Sequence, residues 1–257
     1  MFPPEVFTEI FSILASEPRV LVACSQAHSI FAQLVEPTLY AHVIIHDNHA
    51  DLADEHHLKL KPYQLSTLLS DKPRILNYLR SLCVELGVYS DDEATKEIIS
   101  ILPGLKLERI QLTLSHHISD WQFFPITFRT AFVACISTSR MKEICLDNIH
   151  RIPLISFADC AGLKRLVLWS DAIPPPNNSF NFPHLETLEL SDWTMARHSQ
   201  DFSSWLSRHA CGLRSLTLTT AKKNVVHGFL PHLLAIFSTS LVNLNIYYTS
   251  KSIYSNT

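Results

Sequence analysis

The chain has 257 residues, with 21 Lys+Arg against 24 Asp+Glu, a formal net charge of −3, 18% charged and 47% hydrophobic residues. That balance excludes a disordered or polyelectrolyte chain, and the length is enough to bury roughly three quarters of the unfolded surface. Without a Lys/Arg cluster there is no electrostatic footprint for nucleic acid, and no apolar stretch approaches the ~20 residues that span a bilayer.

The first 45 residues predict a small helical unit. Pro3 and Pro4 suit an opening helical turn, Glu5 and Glu9 lie near the positive helix end, and Val6, Ile10 and Leu14 fall on one face. Phe7, Phe11 and Ile13 form a second apolar side. Leu21 to Cys24, then Ile30, Phe31, Leu34 and Val35, extend the helical pattern, and Tyr40 to Ile45 reads as a strand. A unit this small with two greasy sides needs a partner for one of them, either another protein or the rest of the chain. The opening Met1 to Glu5 has neither the basic end nor the apolar core of a signal peptide, so cytosol or nucleus is the expected compartment.

Residues 46–78 read as a connecting region. Across its start, His42, His46, His49, His56 and His57 stand with Asp47, Asp51, Asp54 and Glu55. Nitrogen and oxygen ligands at this density suit a borderline metal. They lack an H-E-x-x-H or H-x-H spacing, and a solvated polar loop accounts for them equally well.

From residue 79 onward the pattern is Leu or Met, any two, Leu or Ile, any one, aliphatic. It starts at Leu79, Leu107, Met141, Leu163, Leu185, Leu213 and Leu241, with spacings of 28, 34, 22, 22, 28 and 28 residues. Most fall within the 20 to 29 of leucine-rich repeats. A strand followed by a helix or loop cannot bury its own apolar side, whereas stacked copies share one core. Residues 79–257 therefore predict an α/β fold, an irregular solenoid of about seven units with a parallel sheet. The alternative is an ordinary α/β domain with coincidental leucine spacing. Helical spacers are predicted over 91–102, 127–138, 200–210 and 230–239, the first opened by a capping box of Ser90 and Glu93. Irregular structure is predicted at 147–162 and 171–184, with an exposed loop at Pro174 to Asn178. Gly162 and Gly212 precede strands where a left-handed backbone would end a helix. The turn position three residues past the last strand aliphatic holds Gly87, Ser115, Ile149, Asp171, Trp193, Ala221 and Thr249, so no asparagine ladder is present. Hydroxyls, water or bent strands are expected to satisfy the turns.

Residues alternating with the inward aliphatics point to the open, concave face. Arg109, Gln111, Glu143, Asp147, Arg165, Trp169, Glu189, Asn243, Asn245 and Tyr247 are its candidate partner-binding residues. Carboxylates, guanidinium groups, amides and an indole suit a protein or peptide better than a small molecule. Trp169 is the best single anchor, or else an aromatic covered by the Pro174 loop.

Phe2 to Val6, Ile10, Phe11 and Leu14, followed by Leu21, Cys24, Ser25, Phe31 and the run from Glu36-Pro37 to Tyr40, His42 and Val43, resemble an F-box. The resemblance is to fungal F-box proteins with degenerate leucine-rich repeats, and it covers nearly the whole chain. It implies that the amino-terminal helices dock a Skp-family adaptor of a cullin-RING ubiquitin ligase while the repeats hold a protein substrate. By motif position, Pro3, Ile10, Leu14, Leu21, Cys24 and Phe31 make or support the adaptor contact. The sequence departs from the motif in having Phe2 where leucine is usual before the proline, and in lacking basic residues over Gln26 to Ser29.

No nucleophile elbow, phosphate loop or dinucleotide fingerprint occurs, and five glycines leave little material for a phosphate cradle. The six cysteines, Cys24, Cys83, Cys135, Cys145, Cys160 and Cys211, are scattered without a C-x-x-C and read as buried or half-buried thiols. The expectation is a non-enzymatic adaptor without cofactor or metal; the alternative is a repeat scaffold that binds protein outside any ligase.

Overall fold

Prolines start the first two helices of the amino-terminal unit, because the first helical turn needs no amide donors. In the computed structural model, which describes residues 3–46, 57–87, 92–114, 119–169, 172–173, 182–191, 212–220 and, except for 232–233 and 236, 230–248, α1 runs Pro4–Ile13 and α2 Pro18–Ala27. His28 caps α3, Ser29–Leu39, its Nδ1 accepting from the Ile30 amide at 3.1 Å. The three helices close on a small core of Phe11, Leu21, Val35 and Leu39, with Phe7, Leu14, Cys24 and Phe31 packed against it. Phe31 lies 5.0 Å from Phe7 and 6.1 Å from Phe11 between ring centroids.

The remaining fold is one parallel sheet. Its strands are β1 (His42–His46), β2 (Leu58–Leu60), β3 (Ser81–Leu86), β4 (Arg109–Leu114), β6 (Glu143–Asp147), β9 (Arg165–Trp169), β11 (Thr187–Ser191), β12 (Ser215–Thr220) and β13 (Asn243–Tyr248). Short pairs lie beside it: β5 (Ser119–Asp120) with β7 (Ile149–His150), and β8 (Ile152–Pro153) with β10 (Ala172–Ile173). Apart from β2, which flanks β1 on the outer edge, the nine strands of the large sheet lie in chain order.

Register explains why the sequence pattern works. Val43, Leu82, Ile110, Ile144, Leu166, Leu188, Leu216 and Leu244 pair in one row, and Ile45, Val84, Leu112, Leu146, Leu168, Leu190, Leu218 and Ile246 in the next. From Val43 to Leu218 both rows are at most 2% exposed, whereas Leu244 on the terminal strand is 37% exposed. Each buried aliphatic contributes roughly 1.5–3 kcal/mol, so the sheet is held mainly by these rows. Against them pack α4 (Pro62–Asp71) through Leu65 and Leu69, α5 (Asp92–Ile101) through Ile98 and Ile101, and α6 (Ile126–Ile136) through Phe128, Phe132 and Ile136. The helices predicted at 91–102 and 127–138 are these last two, and the described positions of 230–237 are also helical. The helix expected over 200–210, Ser90 of the capping box and the Pro174 loop lie outside the described residues.

The backbone repeats as regularly as the side chains. The carbonyls of Ala41, Arg80, Glu108, Lys142, Lys164, Glu186 and Arg214 each accept two consecutive amides at the entry of the following main strand, at 2.7–3.0 Å. This one bond pattern bridges spacers of different length.

The amino-terminal unit is fastened to the sheet. Tyr40 and Leu58 pack against both cores. Glu36, 2% exposed, accepts on Oε1 from Lys72 Nζ at 3.1 Å and from Arg74 Nη2 at 2.9 Å, with Arg74 Nε 2.8 Å from Oε2. Burial alone would raise the Glu36 carboxyl; the hydrogen bonds and charges of Arg74 and Lys72 outweigh it and hold the group below its ordinary value.

Two expectations change. No described glycine has a positive φ. Gly162 is needed for a close approach instead, since a Cβ there would sit 2.9 Å from the Ser139 carbonyl oxygen and 3.2 Å from that of Met141. At Gly212 the nearest atom would be 3.5 Å away, an ordinary contact. The connecting region, for its part, contributes β2 and α4 to the same sheet and core.

Gly162→Ala should therefore destabilise the protein by about 1–3 kcal/mol while Gly212→Ala stays near neutral; equal effects in denaturant titration would contradict the close-approach account. Glu36→Gln should lower the melting temperature at pH 7 by about 3 °C. A depressed carboxyl stabilises above its unfolded value of 4.5 and loses that contribution as pH falls through the folded one, so wild type and variant should converge below about pH 4.5.

Candidate functional site

Two surfaces present the residues that the sequence nominates. On the amino-terminal helices the positions divide by direction. Leu21 is 1% exposed and Leu14, Cys24 and Phe31 pack against the small core, so these four support the unit from within. Pro3 and Ile10 face outward. Val6 (39% exposed), Ile10 (42%) and Ile13 (72%) follow one helical stripe, and Val20 and Ile30 are exposed on the next two helices. Periodicity places Leu14 with Val6 and Ile10 and Ile13 with the phenylalanines; the helix instead ends at Ile13, and a 3-10 turn over Leu14–Ser16 swings Leu14 inward.

The second surface is the sheet face opposite the helices. Its first row, by register, is His42, Ser81, Arg109, Glu143, Arg165, Thr187, Ser215 and Asn243. Within it, Arg109 Nε meets Glu143 Oε2 at 2.8 Å and Arg165 Nη1 meets Glu143 Oε1 at 2.9 Å. Arg165 also donates to Glu189 in the second row, from Nε at 3.1 Å and from Nη2. Four of the five charged candidates thus form an alternating chain that neutralises itself. Both arginines are 41–51% exposed, so it orders the face without contributing much stability. Burial first, then the charge of Arg109, holds His42 below its ordinary value.

The second row carries Cys83, Gln111, Cys145, Val167, Glu189, Thr217 and Asn245. Gln111 Nε2 donates to Thr113 Oγ1 at 3.1 Å. Cys145 (8% exposed) and Val167 (2%) leave little surface at mid-sheet. Burial pushes the Cys145 thiol up to about 12, as it does Cys135 and Cys160, which marks all three as unreactive. Cys211 lies outside the described residues.

The third row runs Glu85, Thr113, Asp147 and Trp169. With Leu190 opposite Leu168, Ser191 comes next, and it pairs with Thr219, which pairs with Tyr247. Trp169 is 38% and Tyr247 58% exposed. Burial raises the Asp147 carboxyl from 3.8 to about 6, against the hydrogen bond from the Asn148 backbone amide.

Asn148 was not anticipated. Its φ of 62° places it in the left-handed region, which asparagine tolerates, and its Nδ2 donates to the Leu114 carbonyl of the preceding unit at 2.9 Å. The carboxamide satisfies the turn in the manner expected of hydroxyls or water, one residue before the position inspected in the sequence. Arg151, also left-handed, pairs with the buried Asp120. Of the histidine-rich stretch, His42, His46 and His57 are described and residues 47–56 are not. Among the described residues no group of three or more His, Cys, Asp or Glu is placed to hold a metal ion, and no helix is long and apolar enough to cross a membrane.

A carboxyl whose folded value lies above its unfolded one costs stability once pH rises through 3.8 toward 6. Asp147→Asn should therefore stabilise the protein at pH 7 by about 1–2 kcal/mol, an advantage that fades at acid pH; a destabilised variant in neutral denaturant titration would show that Asp147 has a compensating partner. No family model matches the chain, and no curated protein is significantly similar to it.

Proposed function

We propose that the chain is a non-catalytic substrate adaptor of a cullin-RING ubiquitin ligase, with the amino-terminal helices docking a Skp-family adaptor and the polar face of the sheet receiving a protein substrate. The observation that carries this reading is the apolar stripe of Val6, Ile10 and Ile13 on the outside of a three-helix unit whose core of Phe11, Leu21, Val35 and Leu39 does not include them. Exposed aliphatics in a row on one helix are the usual mark of a protein contact. The F-box resemblance falls on the same helices. For the remainder, the chain-order parallel strands, the two aliphatic rows and the repeated backbone bonds support an irregular leucine-rich-repeat solenoid. Its open face mixes charged, hydroxyl, amide and aromatic side chains over several strands, which suits a polypeptide. On this reading the cytosol or nucleus is the working compartment, and neither cofactor nor metal takes part.

The test is a pull-down of the full chain with a fungal Skp-family adaptor. Ile10→Asp with Ile13→Asp should abolish capture, because burying an unpaired carboxylate costs several kcal/mol, yet leave the circular dichroism spectrum and melting temperature within about 2 °C of wild type. Ile10→Asp with Leu14→Asp is a poorer probe, since Leu14 belongs to the core. A well-folded wild type that captures no adaptor would favour a repeat scaffold outside any ligase.

A further inference from the structure

We propose that Asp147 and Trp169 together receive a cationic side chain, above all an arginine, from an extended segment of the bound protein. The inference rests on the substrate-holding role proposed for this face and names what the face selects. Asp147 and Trp169 are register partners on adjacent strands, β6 and β9, so their side chains leave the same side of the sheet from strands ~4.8 Å apart. Trp169 is 38% exposed, and an exposed indole is the aromatic best suited to a cation.

Charge complementarity fixes the occupant. The other acids and bases of this stretch of the face are committed to one another: Arg109 to Glu143, and Arg165 to both Glu143 and Glu189. Arg109, Glu143 and Arg165 sit at the opposite end of the strands, Glu143 and Asp147 being the first and last residues of β6, roughly 13 Å apart at 3.3 Å per residue, while Glu189 lies in the row between. Among the described residues Asp147 has no ion-pair partner, and burial raises its carboxyl against the hydrogen bond from the Asn148 backbone amide. Among the described residues, the face therefore holds a carboxylate short of a counter-charge beside an aromatic side chain. A guanidinium satisfies both together, its planar group stacking on the indole while its N–H groups fork onto the carboxylate. A lysine would meet the charge but not the fork, and a neutral isostere such as citrulline would stack without pairing.

The experiment follows the indole N–H of Trp169 by NMR in the 15N-labelled full chain, assigned by comparison with Trp169→Phe. The probes are acetylated pentapeptides Gly-Ser-Xaa-Ser-Gly amide with arginine, lysine or citrulline at the centre. Arginine peptide should shift the Trp169 resonance saturably in the millimolar range, with citrulline weaker by about ten-fold or more. Asp147→Asn should weaken arginine binding by about ten-fold while leaving the buried Trp121 resonance in place. Indistinguishable arginine and citrulline titrations, no saturable shift at millimolar arginine peptide, or unchanged affinity in Asp147→Asn would each overturn the proposal. Adaptor capture does not use this face. A chain that fails the pull-down but titrates with arginine would lose the ligase role alone, and the converse would lose the arginine site alone.

Discussion

A parallel strand of five or six residues cannot exist alone, because its hydrogen bonds and its apolar side chains are both completed only by neighbours. In this protein each main strand contributes two alternate aliphatics to a pair of continuous rows, and the rows hold only if register is kept across every junction. A slip by one residue would send Leu166 and Leu168 outward and drive Arg165 and Val167 into the core. Register is protected by the carbonyl ahead of each strand, which grips two amides of its successor irrespective of the number of residues between. That grip is why spacers of 22 and 34 residues coexist in one sheet.

The same register decides what the opposite face can do. Because charges at equivalent positions of successive units fall side by side, Arg109, Glu143 and Arg165 become neighbours although 34 and 22 residues separate them along the chain. The result is a surface with internal compensation at one end and a carboxylate beside an indole at the other. Chemical character is thereby graded along each strand, from a self-satisfied ionic edge through a nearly closed middle at Cys145 and Val167 to a more open aromatic edge.

Much of this was legible because alternation and repetition are one-dimensional signals. The seven strands of the large sheet from β3 to β13 follow from the aliphatic pattern alone, and α5 and α6 from apolar spacing. β2 was not legible, since Leu58, Lys59 and Leu60 are too few to show a period. α4 had its signals, with Pro62 at the first turn and Leu65, Leu68 and Leu69 at helical spacing, yet it lay in a stretch read as connection. The direction of Leu14 depends on where α1 stops, and boundaries are the weakest part of a periodicity argument. The need for space at Gly162 comes from Ser139 and Met141, about twenty residues earlier, which no local pattern reports. The ion-pair chain could have been found by comparing charges at matching positions of successive units, whereas the burial of Asp147 required the packed structure.

Glu36 carries a mechanical implication. Its carboxylate binds α3 to Lys72 and Arg74, beyond the end of α4, while α3 passes into β1 through only Tyr40 and Ala41. The helices and the sheet are clamped at two places instead of swinging on a hinge. A body gripping the outer stripe of α1 and another lying across the strands would then be set at one bearing and one separation, as two jaws on a single casting. Reach toward a second body would come from translation of the whole piece, not from flexure inside it.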